Sequence, residues 1–193
     1  MKFMPQKKWK KILLITFLSI IIVSVSLLVY VSYVINNDTV TQLVIKNSSG
    51  NETALILFSP GLSSFAHDVS YAFADGLVST GWRAEIATPS NETPVNLSKY
   101  SLLVVASNTY GFNPDTPTSR HLERIGDLEG IETVLITLGA GNAEQSQQSL
   151  ENLVETSNGT IIESLLLYSL APNEGSDSPT EIADQTAKEI YPD

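Results

Sequence analysis

Hydrophobic positions divide the chain into two rhythms. Residues 12–35 are 24 consecutive positions without a charge, and at 1.5 Å rise per residue they span a hydrocarbon core of about 30 Å with some tilt. The pattern predicts a transmembrane helix over 12–35 behind a short basic segment, 1–11. From Thr53 onward short apolar runs alternate with longer amphipathic stretches, the pattern of βαβ units and a parallel sheet. Residues 54–58, 102–106 and 134–138 are nearly continuously apolar, as strands covered on both faces should be. Residues 82–86 alternate apolar with charged, and 161–167 carry Glu163, so both are expected to be half-exposed edge strands.

Helices fall between them. Val69, Ala72, Phe73, Gly76 and Leu77 form one apolar stripe, with Gly81 as its stop. Leu150, Leu153 and Val154 make a second stripe, and Ala183, Ala187 and Ile190 a third, entered through Ser178-Pro179 as N-cap and first-turn proline. A shorter helix is expected over about 117–126, whereas 88–101 is too polar and proline-broken for more than one turn. Central first, third and fourth strands with the second and fifth at the edges give the order 2-1-3-4-5, an α/β doubly wound parallel sheet of five strands. That order leaves residues 40–46 without a place, because the first strand is already flanked on both sides. They are read as part of a membrane-proximal tether, 36–52, ahead of a domain over 53–193.

Charge orients the anchor. Lys2, Lys7, Lys8, Lys10 and Lys11 precede the apolar run, while all 21 acidic residues and six basic ones follow it, a formal balance of −15 for the later part. Lysines on the N-terminal flank predict a cytoplasmic N-terminus and an extracytoplasmic domain. Trp9 at one end, with Tyr30 and Tyr33 near the other, suits the interfacial belts. The run is longer than a signal-peptide core and no Ala-x-Ala-like site follows it, which reads as an uncleaved signal anchor. Sequons begin at Asn37, Asn47, Asn51, Asn91, Asn96 and Asn158, as on a glycosylatable exported surface, though Asn- and Thr-rich loops produce them by chance too. An acidic domain repels phosphate backbones, which argues against nucleic acid and for protein partners with basic faces. The chain has no cysteine, so disulfides, thiol nucleophiles and Cys-ligated metals are excluded.

In a sheet of this order a ligand sits at the carboxyl ends of the strands, beside the point where strand order reverses. The loops after the first, third and fourth strands are therefore the candidates. The first, 59–65, carries Ser59, Gly61, Ser63 and Ser64 at the start of a helix, and can offer hydroxyls and backbone N–H groups to a phosphate. An ordinary Ser-capped turn has the same composition. The second, 107–114, contains Asn108, Thr109, Tyr110, Gly111 and Phe112; its aromatic rings can stack on a planar ligand or simply close the end of the sheet. The third contains Gly139, Gly141 and Asn142, where glycine allows close backbone approach or tight packing. It lacks the GxGxxG spacing of a dinucleotide site. His67 near a helix start, and His121 beside Arg120, Glu123 and Arg124, have no third partner and read as structural or solvated, as do Asp115 and Asp127.

Across roughly 53–191 the chain resembles flavodoxin-like proteins. The residues that carry the likeness are the Ser-rich first loop, the helix ending near Asp75-Gly76-Leu77, the stretch from Leu103 to Gly111, and Leu138-Gly139-Ala140-Gly141. The resemblance implies bound FMN, its phosphate at Ser59, Ser63 and Ser64 and its ring beside Asn108 to Phe112 and Gly139 to Asn142. It further implies an electron carrier, with a flavin-free binding or scaffolding module as the alternative. One departure stands out: against the family's Ser/Thr-x-Thr-Gly-x-Thr loop this chain places Gly61 at the second Thr and Leu62 at the glycine, and it has Asn108 where the family commonly has proline. A hydrolase reading founders on the missing G-x-S-x-G elbow.

Overall fold

The computed structural model describes residues 6–173, 175 and 177–191. It divides into two compact units between Val34 and Ile35. The first is dominated by helix α1 (Gln6–Asn36), which is long and apolar enough to cross a membrane and buries none of its apolar window.

The second unit is a three-layer α/β domain. Its elements are β1 (Val44–Lys46), β2 (Thr53–Phe58), α2 (Phe65–Ser79), β3 (Arg83–Ala87), β4 (Leu102–Tyr110), β5 (Asn113–Pro114), α3 (Thr116–Ile125), β6 (Glu132–Gly139), α4 (Glu144–Thr156), β7 (Thr160–Tyr168) and α5 (Pro179–Ile190). The sheet runs β1-β3-β2-β4-β6-β7, with β5 paired to β4 alone. Its parallel part, β3-β2-β4-β6-β7, has the expected 2-1-3-4-5 order. Alternate side chains of the central strands feed two cores. Ile56, Val104 and Ile136 face Phe73 and Leu77 of α2 and Ala183 and Ala187 of α5. Leu55, Leu103 and Leu135 face Leu122 of α3 and Leu150 and Val154 of α4. Each fully buried aliphatic side chain contributes about 1.5–3 kcal/mol. Where a helix would cover the second core between β3 and β4, the non-helical segment 88–101 does so with Leu97 and Tyr100.

Among the described residues the sheet has seven strands rather than five. The two additions are short and antiparallel: β5 turns back on β4, pairing Tyr110 with Asn113, and β1 pairs with β3, Ile45 opposite Glu85. Residues 44–46 thus belong to the sheet and not to a free tether, since the open side of β3 gave them a place. β3 is consequently no edge. Its charged position is buried as well: Glu85 is 1 % exposed and accepts hydrogen bonds from Arg83 (2.6 Å), Lys99 (2.7 Å) and Tyr100 (2.8 Å). Burial alone would raise its carboxyl, but these donors outweigh it and hold the group below its usual range.

β7 is an edge as expected, with β1 at the opposite end of the sheet, and side chains cap much of β7. Gln147 donates to the Ser164 carbonyl, while Asn173 accepts from the Tyr168 N–H and donates to its carbonyl. Such caps occupy groups that would otherwise recruit another strand.

His121 departs from its expected solvated position. It is fully buried against the 88–94 segment, with Arg124 donating to its Nδ1. Burial first, then the Arg124 charge, lowers its pKa to about 4. α3 also holds the start of the second unit: Arg120 pairs with Asp38 at 2.8 Å, and Thr116 donates to Asn36 at 2.9 Å.

Candidate functional site

Two of the three loops meet. β2 ends at Phe58, and Ser59 is buried directly beyond it. Gly61 follows with φ +65°, a conformation that costs a non-glycine residue about 1–2 kcal/mol. The Asn108 carboxamide reaches across from β4 and donates to the Ser59 carbonyl at 2.7 Å. A Cβ at Gly61 would lie 2.7 Å from the Tyr110 hydroxyl and 2.8 Å from the Asn108 amide nitrogen. The glycine is thus required both by its own backbone and by the two side chains laid over it. Burial raises the Tyr110 phenol, and a hydrogen bond from the Leu62 backbone acts the other way. Leu62 itself is 52 % exposed, so its side chain turns to solvent and not onto the loop.

The first loop delivers Ser63 and Ser64 to the start of α2. Ser64 is the N-cap, yet its backbone is helical (φ −72°, ψ −5°) and its side chain caps no helical N–H. The N–H groups of the first turn, with the positive end of the helix dipole, are not covered by it. The Ser63 hydroxyl accepts from the Phe65 N–H at 3.4 Å, and the Asp68 carboxyl is held low by His67 first and Ser64 second. His67 Nδ1 lies 3.0 Å from Asp68, and its ring stacks on Tyr71 with centroids 4.1 Å apart.

The second loop is shorter than expected because β4 runs on to Tyr110. Asn108, Thr109 and Tyr110 are strand residues, and Gly111 and Phe112 form the tip of the β4–β5 hairpin, both with positive φ. Phe112 is exposed at that tip. The third loop behaves differently. Leu138 is the register partner of Asn108, but beyond it the contacts run toward the end of β7. Ser169 N donates to the Gly139 carbonyl at 2.8 Å, a Cβ at Gly139 would meet the Tyr168 ring, and one at Gly141 would meet Ala171. Asn142 is exposed with φ +58°. Grooves of about 500 and 510 Å³ open beside β7, lined by Phe65, Asp68 and Leu170 in one and by Glu144, Gln147 and Glu163 in the other. Neither is lined by Ser59, Gly61, Asn108 or Tyr110.

Asp115, expected at the surface, is 1 % exposed. It caps α3, one carboxylate oxygen accepting from Thr118 N at 2.9 Å and the other from Asn108 N at 2.8 Å and Ser107 Oγ at 3.0 Å. Burial pushes the carboxyl up, while the bonds from Thr118, Asn108 and Ser107 act against it. Its cap role had a sequence signal, Asp115-Thr116-Pro117, an N-cap followed by proline in the first turn.

No family model matches the chain, and no curated protein matches it. Solved structures do. A flavodoxin from the domain Archaea superposes with a TM-score of 0.59 at 11% identity, covering 72% of this chain and 96% of that one. The domain has the flavodoxin-like fold. The two-electron reduced flavodoxin of Megasphaera elsdenii (TM-score 0.56, 12% identity, 70% and 98% covered) and a WrbA-like flavodoxin from Agrobacterium tumefaciens (0.54, 15%, 72% and 94%) are similar in the same way. Within that fold, the flavodoxin-like domain of this chain carries strand β1 on the outer side of β3 and an irregular segment between β3 and β4.

Proposed function

We propose that the flavodoxin-like domain binds FMN and carries electrons while anchored by α1 to a membrane, with the domain on the extracytoplasmic side. The observation that carries the reading is the junction of the first two loops at the strand-order reversal. There the Asn108 carboxamide bonds the Ser59 carbonyl and the Tyr110 hydroxyl lies over Gly61, while Ser63 and Ser64 lead into α2, whose N-cap side chain bonds no helical N–H. This donor set suits a phosphate monoester: neutral hydroxyls and backbone N–H groups at the positive end of a helix. The aromatic side chains suit the ring, and Gly139, Gly141 and Asn142 would have to approach it from β6. FMN supplies the redox chemistry when bound; the protein orients it and tunes its electronics. The anchor's orientation rests on the lysines before α1, and the acidic domain favours redox partners with basic faces.

A second reading, a flavin-free binding module, is favoured by one feature. Asp68 lies in the first turn of α2, and so a carboxylate already sits at that helix end.

Titration of the full-length chain in detergent micelles separates the two. Saturable quenching of FMN fluorescence is expected, with a Kd of about 1 μM or tighter, worth about 8 kcal/mol or more, and with riboflavin binding more weakly for want of the phosphate. A folded protein that leaves FMN fluorescence unchanged at about ten times that concentration rejects the flavin reading. Because the chain lacks cysteine, a single Ser98→Cys substitution on an exposed loop tests topology. A membrane-impermeant maleimide should label it on intact cells, and labelling only after lysis would reverse the orientation.

A further inference from the structure

Asp115 lies outside the three loops, yet it governs the contact between two of them. Its carboxylate accepts the Asn108 N–H at 2.8 Å and the Ser107 hydroxyl at 3.0 Å, and its own N–H donates to the Asn108 carbonyl at 2.9 Å. Asn108 is therefore gripped through both its N–H and its carbonyl by a single residue. From that fixed backbone the Asn108 carboxamide reaches the Ser59 carbonyl at 2.7 Å, and two residues on the Tyr110 hydroxyl lies over Gly61. The other carboxylate oxygen is bound to the first turn of α3 through Thr118 N. One buried carboxylate thus connects helix, strand end and first loop.

We propose that Asp115 is a positioning residue for the ligand cleft: it touches no ligand, but by holding the Asn108 backbone it sets where Asn108 and Tyr110 stand over the Ser59–Gly61 loop. The inference rests on the FMN reading for its consequence, and on hydrogen bonds alone for its mechanism. Charge-assisted bonds from buried N–H groups are stronger than neutral ones and hold geometry better. A group bonded at both faces has one orientation; a group bonded at one face has several.

Asp115→Asn isolates the role. Asparagine caps a helix as well as aspartate does, so its oxygen keeps the Thr118 bond. Its NH₂ then faces the Asn108 N–H, donor against donor, while the Ser107 hydroxyl can turn to accept from it. Two readouts follow on the full-length chain. Amide hydrogen exchange at Asn108 should accelerate about tenfold or more, the equivalent of one lost hydrogen bond to a charged group, while exchange within α3 stays within about twofold. FMN affinity should fall by a similar factor, about tenfold.

The outcomes separate the claims. If wild-type protein binds no FMN, the proposed function fails, and the exchange measurement still decides whether Asp115 holds Asn108. If Asn108 stays protected in the variant, or if FMN binds both proteins equally well, the positioning role is overturned. Should Asp115→Asn not fold, judged by loss of the buried Trp82 emission, Ser107→Ala removes one of the two donors to the same carboxylate oxygen. Faster Asn108 exchange in that variant supports the role, and unchanged exchange refutes it.

Discussion

Gly76 offers a case in which two opposed effects can be weighed. It lies within α2, where alanine ordinarily stabilises a helix by about 1 kcal/mol relative to glycine. Here α5 crosses close above it: a Cβ at position 76 would stand 2.5 Å from the Asp184 carbonyl oxygen and 2.7 Å from the Ala187 Cβ. The first of these atoms is backbone, so no side-chain rotation relieves the clash and α5 must retreat. Overpacking of this kind costs about 1–3 kcal/mol, and a rigid backbone neighbour places it near the upper end. Gly76→Ala should therefore destabilise the domain by about 2 kcal/mol net, or about 4–8 °C in Tm for a domain of this size. Trp82 is the reporter, buried and packed against the Tyr191 ring at 4.5 Å, followed through urea and thermal unfolding of the full chain in detergent. Gly81→Ala is the control. Gly81 has φ +89°, and a Cβ added there would have nothing within 4 Å, so only the backbone term of about 1 kcal/mol applies. A Gly76→Ala protein as stable as wild type, or more stable, would refute the close-packing argument.

Other expectations follow from the same structure. Glu85 has a depressed carboxyl in the fold, so its stabilising contribution is present above the ordinary Glu range near 4.3 and is lost as pH falls through the folded value. Glu85→Gln should flatten the acid limb of a stability–pH profile and cost about 2 kcal/mol at pH 7, less than a fully buried pair because Lys99 stays half in solvent. His121 behaves in the same direction for the opposite reason. Its folded pKa of about 4 lies below the ordinary value near 6.5, so about 3 kcal/mol is lost as pH drops from 6.5 to 4, and His121→Gln should remove that slope. At the cleft, Gly61→Ala should weaken FMN binding about tenfold or more by displacing Asn108 and Tyr110, whereas Leu62→Gly, whose side chain points outward, should change it by less than about threefold. Equal effects of the two substitutions, measured by fluorescence titration, would show that the loop is read wrongly.

How much of this was legible depends on what periodicity measures. The parallel strands and their order were readable because 54–58, 102–106 and 134–138 are apolar on both faces, and the absence of a long helix in 88–101 was readable from its prolines. Side-chain pattern does not report on partners brought from elsewhere in the chain. Glu85 looks like a solvent-facing residue until Arg83, Lys99 and Tyr100 converge on it. His121 sits in a run of charges yet is covered by the 88–94 segment, a long-range contact. β1 is only three residues long and gains its identity from the open flank of β3. At the cleft, the sequence named Asn108 and Gly61 separately, but the bond that joins their loops depends on Asp115, whose proline-flanked cap signal said helix start and nothing about the strand beside it.

The pairing of β1 with β3 also bears on what a cut in the chain between α1 and the sheet would leave behind. A protease acting between Asn36 and Val44 would release a domain whose sheet still ends in a short, paired strand. A cut a few residues later, in the turn after Lys46, would let β1 dissociate and leave β3 with a row of unpaired N–H and C=O groups, the template on which sheets join edge to edge. A small shift in the position of cleavage would then decide between a domain whose β3 stays covered and one that self-associates.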